Sequence, residues 1–434
     1  MVGRCGTRYF QGVHIVLCMH VSTMLWAGLT KALGVLLPTL REQFTADTWM
    51  IGSLIAASVA AAGFAGPFSG PLDRIFGTRT VVIISSFLSG ASVILSSFST
   101  STLHVALSLC LLAGPGLSII CILTRAMAGR QFTTGYAIAT GVGSSGHALG
   151  MMFIGPLAQV FLDTYGWRGA LLLLGAISLH LCAFAFLLTE SVKVRDKYVP
   201  IVSSEEEPPI SIPEKPNTEK QSQLHVLKAA ITAGKKLLGC SVCGRAEFWI
   251  AFPVFGCDSF ATDMWLMYFV AYADTKGFSG HEAVTFTLAG GIGNMVSKII
   301  FGLILGRGLV NVRLSLFVTI TSSSLALLTL TWINSYWAMM VNAFLYHGLS
   351  GMLTVLSDIY TRELLGTEDL AAAFSWIGVL TAVLVLAFGF FPGLMFDISG
   401  SFEIAFVILA CIASLSLVSL LAEVLLNRHK ERSL

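Results

Sequence analysis

Two lysines, Lys31 and Lys298, lie inside long apolar runs with no acidic residue beside them in sequence. An ammonium held at the centre of a bilayer costs at least about 2.5 kcal/mol, so an intramembrane cation faces a cavity or a partner. Lys298 follows Asn294 by one helical turn, which puts an amide and a cation on one face. The two lysines are expected to converge on one central cavity and supply the positive field for a carboxylate. Lys31 has a second reading, snorkelling to the interface near Pro38, and Lys298 has one in balancing a buried acid. Asp258 and Asp263 lie within the seventh apolar run and Asp358 within the tenth. Asp258 and Asp263 are five residues apart, about 140° around a helix, so one narrow cavity is not expected to receive both. Asp358 precedes Arg362 by four residues, and an ion pair at a helix end is as good a reading as a role toward a ligand. An approach of Asp258 or Asp358 to Lys298 would make a pair that an anion or a proton could break, which is a coupling device.

Other chemically capable side chains read as packing. His14, His20, His147, His180 and His347 titrate where a proton relay would need them, but they are scattered over four helices and read as satisfied core or interfacial residues. Cys240 and Cys243 form a lone CxxC without the two further ligands of a structural zinc site, so no metal and no cofactor is expected. Gly143, Ser144, Ser145 and Gly146 lack the preceding strand of a nucleophile elbow; Gly146 and Gly150 read instead as the small-residue face of a packed helix. Gly114, Pro115 and Gly116 should loosen a helix where backbone lines a cavity. With no HExxH, no acids paired at matched depth and no acyltransferase-like cysteine cluster, an enzyme is not expected.

The elements that position these residues follow from composition. The chain has 434 residues, 55% hydrophobic against 12% charged, and a mean hydropathy of +0.81. That balance excludes a secreted disulfide scaffold, a nucleic-acid-binding protein and an ordinary cytosolic enzyme. The nine cysteines sit mostly in apolar runs as small hydrophobes, and a net charge of +2 selects no partner. A spanning helix needs about 20 apolar residues, and suitable stretches fall at 13–38, 49–70, 80–98, 103–128, 135–161 and 168–189, then at 248–272, 283–305, 314–332, 335–361, 370–395 and 403–425. Arg4 and Arg8 precede the first without a cleavage site, so it reads as a retained helix. The expectation is an all-α membrane protein of twelve transmembrane helices, with residues 1–189 as one six-helix half and 247–434 as the other plus a short tail. Residues 190–246, with five prolines and the Glu205, Glu206, Glu207 run, read as a largely disordered linker with a short amphipathic helix near 226–238.

Alternate-side counting assigns 21 of the 26 basic residues to one side and only Arg41, Arg168 and Lys276 to the other, with Lys31 and Lys298 inside spans. The bias puts both termini and the linker in the cytoplasm. The halves also look like copies. Gly70, Asp73, Gly77 and Arg79 match Gly302, Gly306, Arg307 and Gly308 at an offset near 232, and Pro156, Asp163 and Gly166 match Pro392, Asp397 and Gly400 near 234. Parallel six-helix repeats around a midplane site build one large class of secondary transporters.

The run from Gly70 through Asp73, Arg74 and Gly77 to Arg79 resembles the loop signature of the major facilitator superfamily. The stretch with Gly141, Gly146, Gly150, Pro156 and Tyr165-Gly166-Trp167-Arg168-Gly169 resembles the monocarboxylate transporter family, as does Phe396-Asp397-Ile398-Ser399-Gly400-Ser401-Phe402. The likeness runs from 29 to 415 outside the linker. It departs at 4–13, where the family's acidic-Gly-aromatic opening is missing, at 131–135, where its basic cluster is replaced by Gln131-Phe132-Thr133-Thr134-Gly135, and on the eighth helix, where Asn294 and Lys298 stand for the family's Asp and Arg. The resemblance implies a major facilitator fold, a cytoplasmic gate motif at Gly70, Asp73, Arg74, Gly77 and Arg79, and a substrate role for Lys31.

The function expected is transmembrane transport of a monocarboxylate-like organic anion by alternating access, either proton-coupled or facilitative, in the plasma membrane. Because Asn294 cannot titrate, coupling should be weak unless Lys31, Asp258 or Asp358 carries the proton. The bulky run from Asp263 through Trp265 to Phe269 leads us to expect a substrate with an apolar or aromatic body, with core packing as the equal alternative. Partners would be that anion, the proton in the coupled reading, the lipid bilayer and, as for some members of the family resembled, a single-span ancillary glycoprotein. The alternatives are carriage of a zwitterionic or aromatic metabolite without proton coupling, and a non-transporting receptor or scaffold of transporter ancestry.

Overall fold

The computed structural model describes residues 3–44, 47–132, 135–188 and 238–432, with backbone alone for 3–11, 48 and 427–432. The expected linker up to 237 lies outside the described residues, as does all but the end of the helix expected near 226–238. Every regular element among the described residues is helical. In hydrocarbon each backbone N–H and C=O must be satisfied within the chain, and a helix does this segment by segment.

The N-terminal helices are α1 (Gly3–Phe44), α2 (Thr48–Ala65), α3 (Ser69–Phe76), α4 (Thr78–Ser96), α5 (Thr102–Ser108), α6 (Gly114–Gln131), α7 (Tyr136–Ser144), α8 (Gly146–Leu149), α9 (Gly155–Leu179) and α10 (Leu181–Phe186). After a short 3-10 turn at Cys240–Gly244 come α11 (Ala246–Thr275), α12 (Gly280–Gly306), α13 (Val312–Leu330), α14 (Tyr336–Leu365), α15 (Leu370–Phe388), α16 (Phe391–Ser399), α17 (Glu403–Ser414) and α18 (Ser416–Arg432). Among the described residues ten stretches are long and apolar enough to cross a membrane, and one of them, Tyr136–Phe186, is 51 residues long. It cannot be one rod, because Gly166 takes φ 68° and ψ 177° and turns the chain back. The 30-residue α11 is less apolar because it carries Asp258 and Asp263 in its middle.

The breaks inside helices have identifiable causes. Wide π turns at Leu109–Ala113 and Gly150–Ile154 each end at a Gly-Pro pair, Gly114-Pro115 and Gly155-Pro156. Proline lacks the N–H that would continue the i to i−4 ladder, so the turn before it relaxes to a looser pattern. Positive-φ glycines fall at helix boundaries at matching places: Gly77 with Gly308, Gly135 with Gly366 and Gly166 with Gly400, separations of 231, 231 and 234 residues.

Small residues let the two groups of helices approach closely. Gly63 of α2 faces the Gly378 carbonyl of α15, and Gly141 of α7 faces the Lys298 carbonyl of α12, each without room for a side chain. The end of the expected linker is docked rather than loose. Val242 is buried, and Arg245 donates to the carbonyls of Leu364 and Leu365 and pairs with Asp369 at 3.2 Å. We call the end of the bundle that carries Arg74, Arg79, Arg130, Arg245, Arg307 and Arg362 the basic end.

Gly146 and Gly150 do form a packing face, against α1. A Cβ on Gly146 would lie 1.8 Å from the His20 carbonyl oxygen, and one on Gly150 would lie 2.1 Å from that of Met24. Overpacking against backbone costs about 1–3 kcal/mol or more, so Gly146→Ala should lower the thermal midpoint in detergent by several degrees. Gly280→Ala, at the open first turn of α12 with nothing within 4 Å, should leave it unchanged or raise it. Equal midpoints for the two variants would contradict this packing account.

Candidate functional site

A cavity of about 200 Å³ opens in the middle of the bundle. Its wall runs from Trp26 and Asp263 at mid-bundle to Arg125 and Phe374 nearer the basic end, and both groups of helices contribute. Besides serines and threonines, its lining carries the charged, imidazole and amide side chains Arg125, His147, Asp258, Asp263, Asn294 and Lys298. The apolar part of the wall includes Trp26, Val59, Phe255, Phe374 and Val385.

Lys298 and Asn294 share a face of α12, as their spacing requires, and both reach the cavity wall. Lys298 is 2% exposed and its Nζ donates to the Ser144 carbonyl at 3.1 Å. That carbonyl is at the end of α7, where the chain passes into α8, so the contact links the N-terminal to the C-terminal helices. Asn294 Nδ2 donates to the His347 carbonyl at 2.9 Å, while its Oδ1 has no hydrogen-bond partner. A buried acceptor without a donor costs about 1–3 kcal/mol, and the cavity is where a donor could come from.

Lys31 is placed differently from the expectation. It is 2% exposed, which excludes snorkelling, yet it is not on the cavity wall. Its Nζ has no hydrogen-bond partner and lies 5.4 Å from the ring centre of Trp265 and 5.9 Å from that of Phe269. Trp265 stacks on Phe269 at 3.9 Å and meets His347 edge-on at 4.2 Å. This aromatic layer encloses the ammonium, so Lys298 opens into the cavity and Lys31 does not. The same layer corrects the reading of the seventh spanning segment: of Asp263 to Phe269 only Asp263 lines the cavity, and Met264 to Phe269 are core.

Both α11 acids reach the cavity wall, against the expectation that their 140° separation forbids it. The void extends along α11 rather than meeting it at one level, so residues on adjoining faces reach it at different heights. Asp258 accepts a long hydrogen bond from Ser350 at 3.5 Å and lies within electrostatic reach of Lys298. Asp263 has no hydrogen bond or ion pair among the described residues and is 8% exposed.

Asp358 does not pair with Arg362. It is fully buried and lies 3.9 Å from Arg125 of α6, while Arg362 stacks on Tyr136 at 4.3 Å and donates to the Phe132 carbonyl. The i, i+4 pair lost because each partner finds a site on the N-terminal helices. Arg125 is the residue that the topology count missed by assigning it to a loop. The signal was there, since position 125 falls inside the apolar run 103–128. Its guanidinium sits over Phe255 at 5.6 Å and Phe374 at 5.8 Å.

Two of the five histidines are not satisfied. His147 Nδ1 and both ring nitrogens of His347 are buried without hydrogen-bond partners, whereas His20 contacts the Val142 carbonyl at 2.9 Å and His180 bonds within its own helix. The loop motif lies away from the cavity. Asp73 pairs with Arg130 at 3.8 Å, accepts from Thr78 and, through its carbonyl, from the Gly77 N–H; Arg79 donates to the Phe186 carbonyl. Arg74 is exposed, and Gly70 faces open space. These contacts tie α3, α4, α6 and α10 together. No group of three metal-ligating side chains occurs among the described residues.

The arrangement defines a class, a multi-spanning helical membrane protein with a charged cavity between its helices. The chain belongs to the Major Facilitator Superfamily, whose family model matches residues 16–333. It is 26% identical over 349 residues to monocarboxylate transporter 12 of Rattus norvegicus, covering 79% of this chain and 71% of that protein. It is 25% identical over 399 residues to monocarboxylate transporter 13 of Rattus norvegicus, covering 92% and 85%. A shorter match to monocarboxylate transporter 11 of Homo sapiens is 34% identical over 173 residues, 40% of this chain and 37% of that one. Among solved structures, the proton:xylose symporter XylE bound to 6-bromo-6-deoxy-D-glucose superposes with a TM-score of 0.69 at 15% identity, covering 94% of this chain and 95% of that one. The likeness establishes a shared fold. The protein is therefore a membrane transport protein of this superfamily, related to the monocarboxylate transporters, and not an enzyme.

Breaking a buried ion pair by removing one partner costs about 3–5 kcal/mol, because a charge is left uncompensated. Asp358→Asn should therefore destabilise the protein by about 3 kcal/mol, and Arg125→Met combined with Asp358→Leu should recover most of it. A double-mutant cycle on thermal midpoints in detergent reads the coupling. Additive losses would show that Arg125 and Asp358 do not depend on each other.

Proposed function

We propose that the chain is a secondary transporter that carries an organic carboxylate across the bilayer by alternating access. In this reading residues 1–189 and 247–434 are two pseudo-symmetric six-helix halves, twelve spans in all once the 136–186 run is divided at Gly166 and α11 is included. Residues 190–246 connect them on the cytoplasmic side. The matched positive-φ glycines support the repeat, and the concentration of arginines at one end supports a cytoplasmic basic end. The plasma membrane is the proposed location, with both termini inside.

The observation that carries the proposal is Lys298, a buried cation whose ammonium is held by a single carbonyl and which opens into a cavity shared by both groups of helices. A carboxylate arriving there gains charge-assisted hydrogen bonds and competes with the Lys298 contact to Ser144 that links the two groups. Binding is thereby tied to the interface that must rearrange. Asn294 stands one turn away on the same wall. Lys31, enclosed by Trp265 and Phe269, belongs to the closed layer above the cavity and becomes a ligand contact only when that layer opens.

Uptake of lactate-like and aromatic carboxylates into proteoliposomes tests the reading, and Lys298→Gln should lower saturable uptake at least tenfold while leaving the protein folded. No saturable uptake of any carboxylate by the wild-type protein would favour a receptor or scaffold instead. Coupling has its own test. Asn294 offers an amide where a titratable group would link proton and substrate, so wild-type uptake should depend weakly on an inward proton gradient. Asn294→Asp should steepen that dependence several-fold. A wild-type rate already proportional to the gradient, and unchanged in Asn294→Asp, would show that the missing carboxylate does not limit coupling.

A further inference from the structure

The charges on the cavity wall do not balance for a simple anion. Arg125 is committed to Asp358 at 3.9 Å, and Lys298 has Asp258 within electrostatic reach. What remains is Asp263, a carboxylate on the wall, more than nine-tenths buried, with no hydrogen-bond donor and no cation beside it among the described residues. Lys31, the other cation in the vicinity, is enclosed among Trp265 and Phe269 and has no ion pair with it. Holding an ionised carboxylate in this way costs several kcal/mol, and the side chain faces the cavity, from which a ligand cation can compensate it.

We propose that Asp263 binds a cationic group of the transported carboxylate, so that the substrate class is a zwitterion whose ammonium, amidinium or guanidinium lies several ångströms from its carboxylate. The proposal rests on the transport reading above and names the substrate of the same site. Polarity along the cavity follows from the helices. Asp258 stands opposite Lys298, and Asp263 lies five residues farther along α11, a rise of about 7.5 Å. A carboxylate at Lys298 therefore leaves a cation within reach of Asp263 when a short chain separates the two, and not when both are carried on one carbon. Trp26 and Val385 flank the wall at mid-bundle and suit the methylenes between. Discrimination arises because a site that leaves a buried charge unpaired rejects the ligand lacking its partner far more strongly than an apolar pocket rejects a missing methylene.

The test compares 5-aminopentanoate with hexanoate, which has the same number of heavy atoms with a methyl in place of the ammonium, and with 2-aminopentanoate, the isomer that places the cation beside the carboxylate. In proteoliposomes of the full chain, uptake of 5-aminopentanoate should exceed that of the other two at least tenfold. Asp263→Asn should abolish the preference while hexanoate uptake is kept or raised, and Asp263→Glu should retain it in part. Purified protein should show the same order in ligand-induced shifts of its thermal midpoint, which reads binding independently of transport. Equal uptake of the three probes, or an Asp263→Asn loss that falls equally on 5-aminopentanoate and hexanoate, would overturn the proposal and leave carboxylate transport standing. No saturable uptake of any probe would overturn both.

Discussion

A charge taken from water into hydrocarbon must find compensation inside the chain, and the way this protein meets that demand organises its centre. Five charged side chains, Lys298, Arg125, Asp258, Asp263 and Asp358, occupy the interior around one cavity. Each is compensated differently: Lys298 by a helix-terminal carbonyl, Arg125 by Asp358 and two aromatic faces, Asp258 by proximity to Lys298, and Asp263 by nothing among the described residues. Because most of these partners come from the other group of helices, the charges couple the two groups to each other as well as to the cavity.

The backbone obeys the same rule. Spanning helices satisfy their own peptide groups, and the irregular stretches fall where Gly-Pro pairs interrupt the ladder next to buried surface. Glycines at 63, 141, 302 and 378 then allow helices from the two groups to approach at backbone distance. Close contact of this kind gains dispersion energy without side-chain ordering, which matters in a solvent as apolar as the protein's own surface.

Spans were legible in the sequence because length and hydropathy dominate in lipid. Most apolar runs match the helices to within about four residues, including the turn at Gly166 between 161 and 168, whereas the first two helical stretches run farther than expected, to Phe44 and Phe76. The same signal marked Lys298, Asn294, Asp258 and Asp263 as interior. It did not fix what each one meets. Arg125 counts as a loop residue when charges are tallied by side, and an Arg362 ion pair is one of two equal readings of Asp358 because helix spacing is visible in sequence whereas the approach of α6 to α14 is not. Lys31 and the run from Trp265 to Phe269 were placed at the cavity because bulky aromatic residues suit both a binding wall and a core. Only packing distinguishes the two.

The two ends of the bundle are closed by different chemistry. At the basic end the bridges between the groups are polar: Arg125 to Asp358, Lys298 to the Ser144 carbonyl, Arg362 to the Phe132 carbonyl, and Ser69 with Ser375. At the opposite end the closure is mostly close packing, Gly34 against the backbone of Leu266 and Met267 and Gly52 against the Tyr268 hydroxyl, with the Trp49 N–H donating to Asp397 at 3.1 Å as a polar bridge between the groups. An ionic ligand competes directly for polar bridges and has little to offer an apolar seal. In the proposed transport cycle, ligand charge therefore acts mainly on the basic end, while the opposite end answers mainly to how well the aromatic layer over Lys31 can repack. A site asymmetric in this way senses its ligand from one side, which is what a carrier needs if occupancy is to decide which end yields.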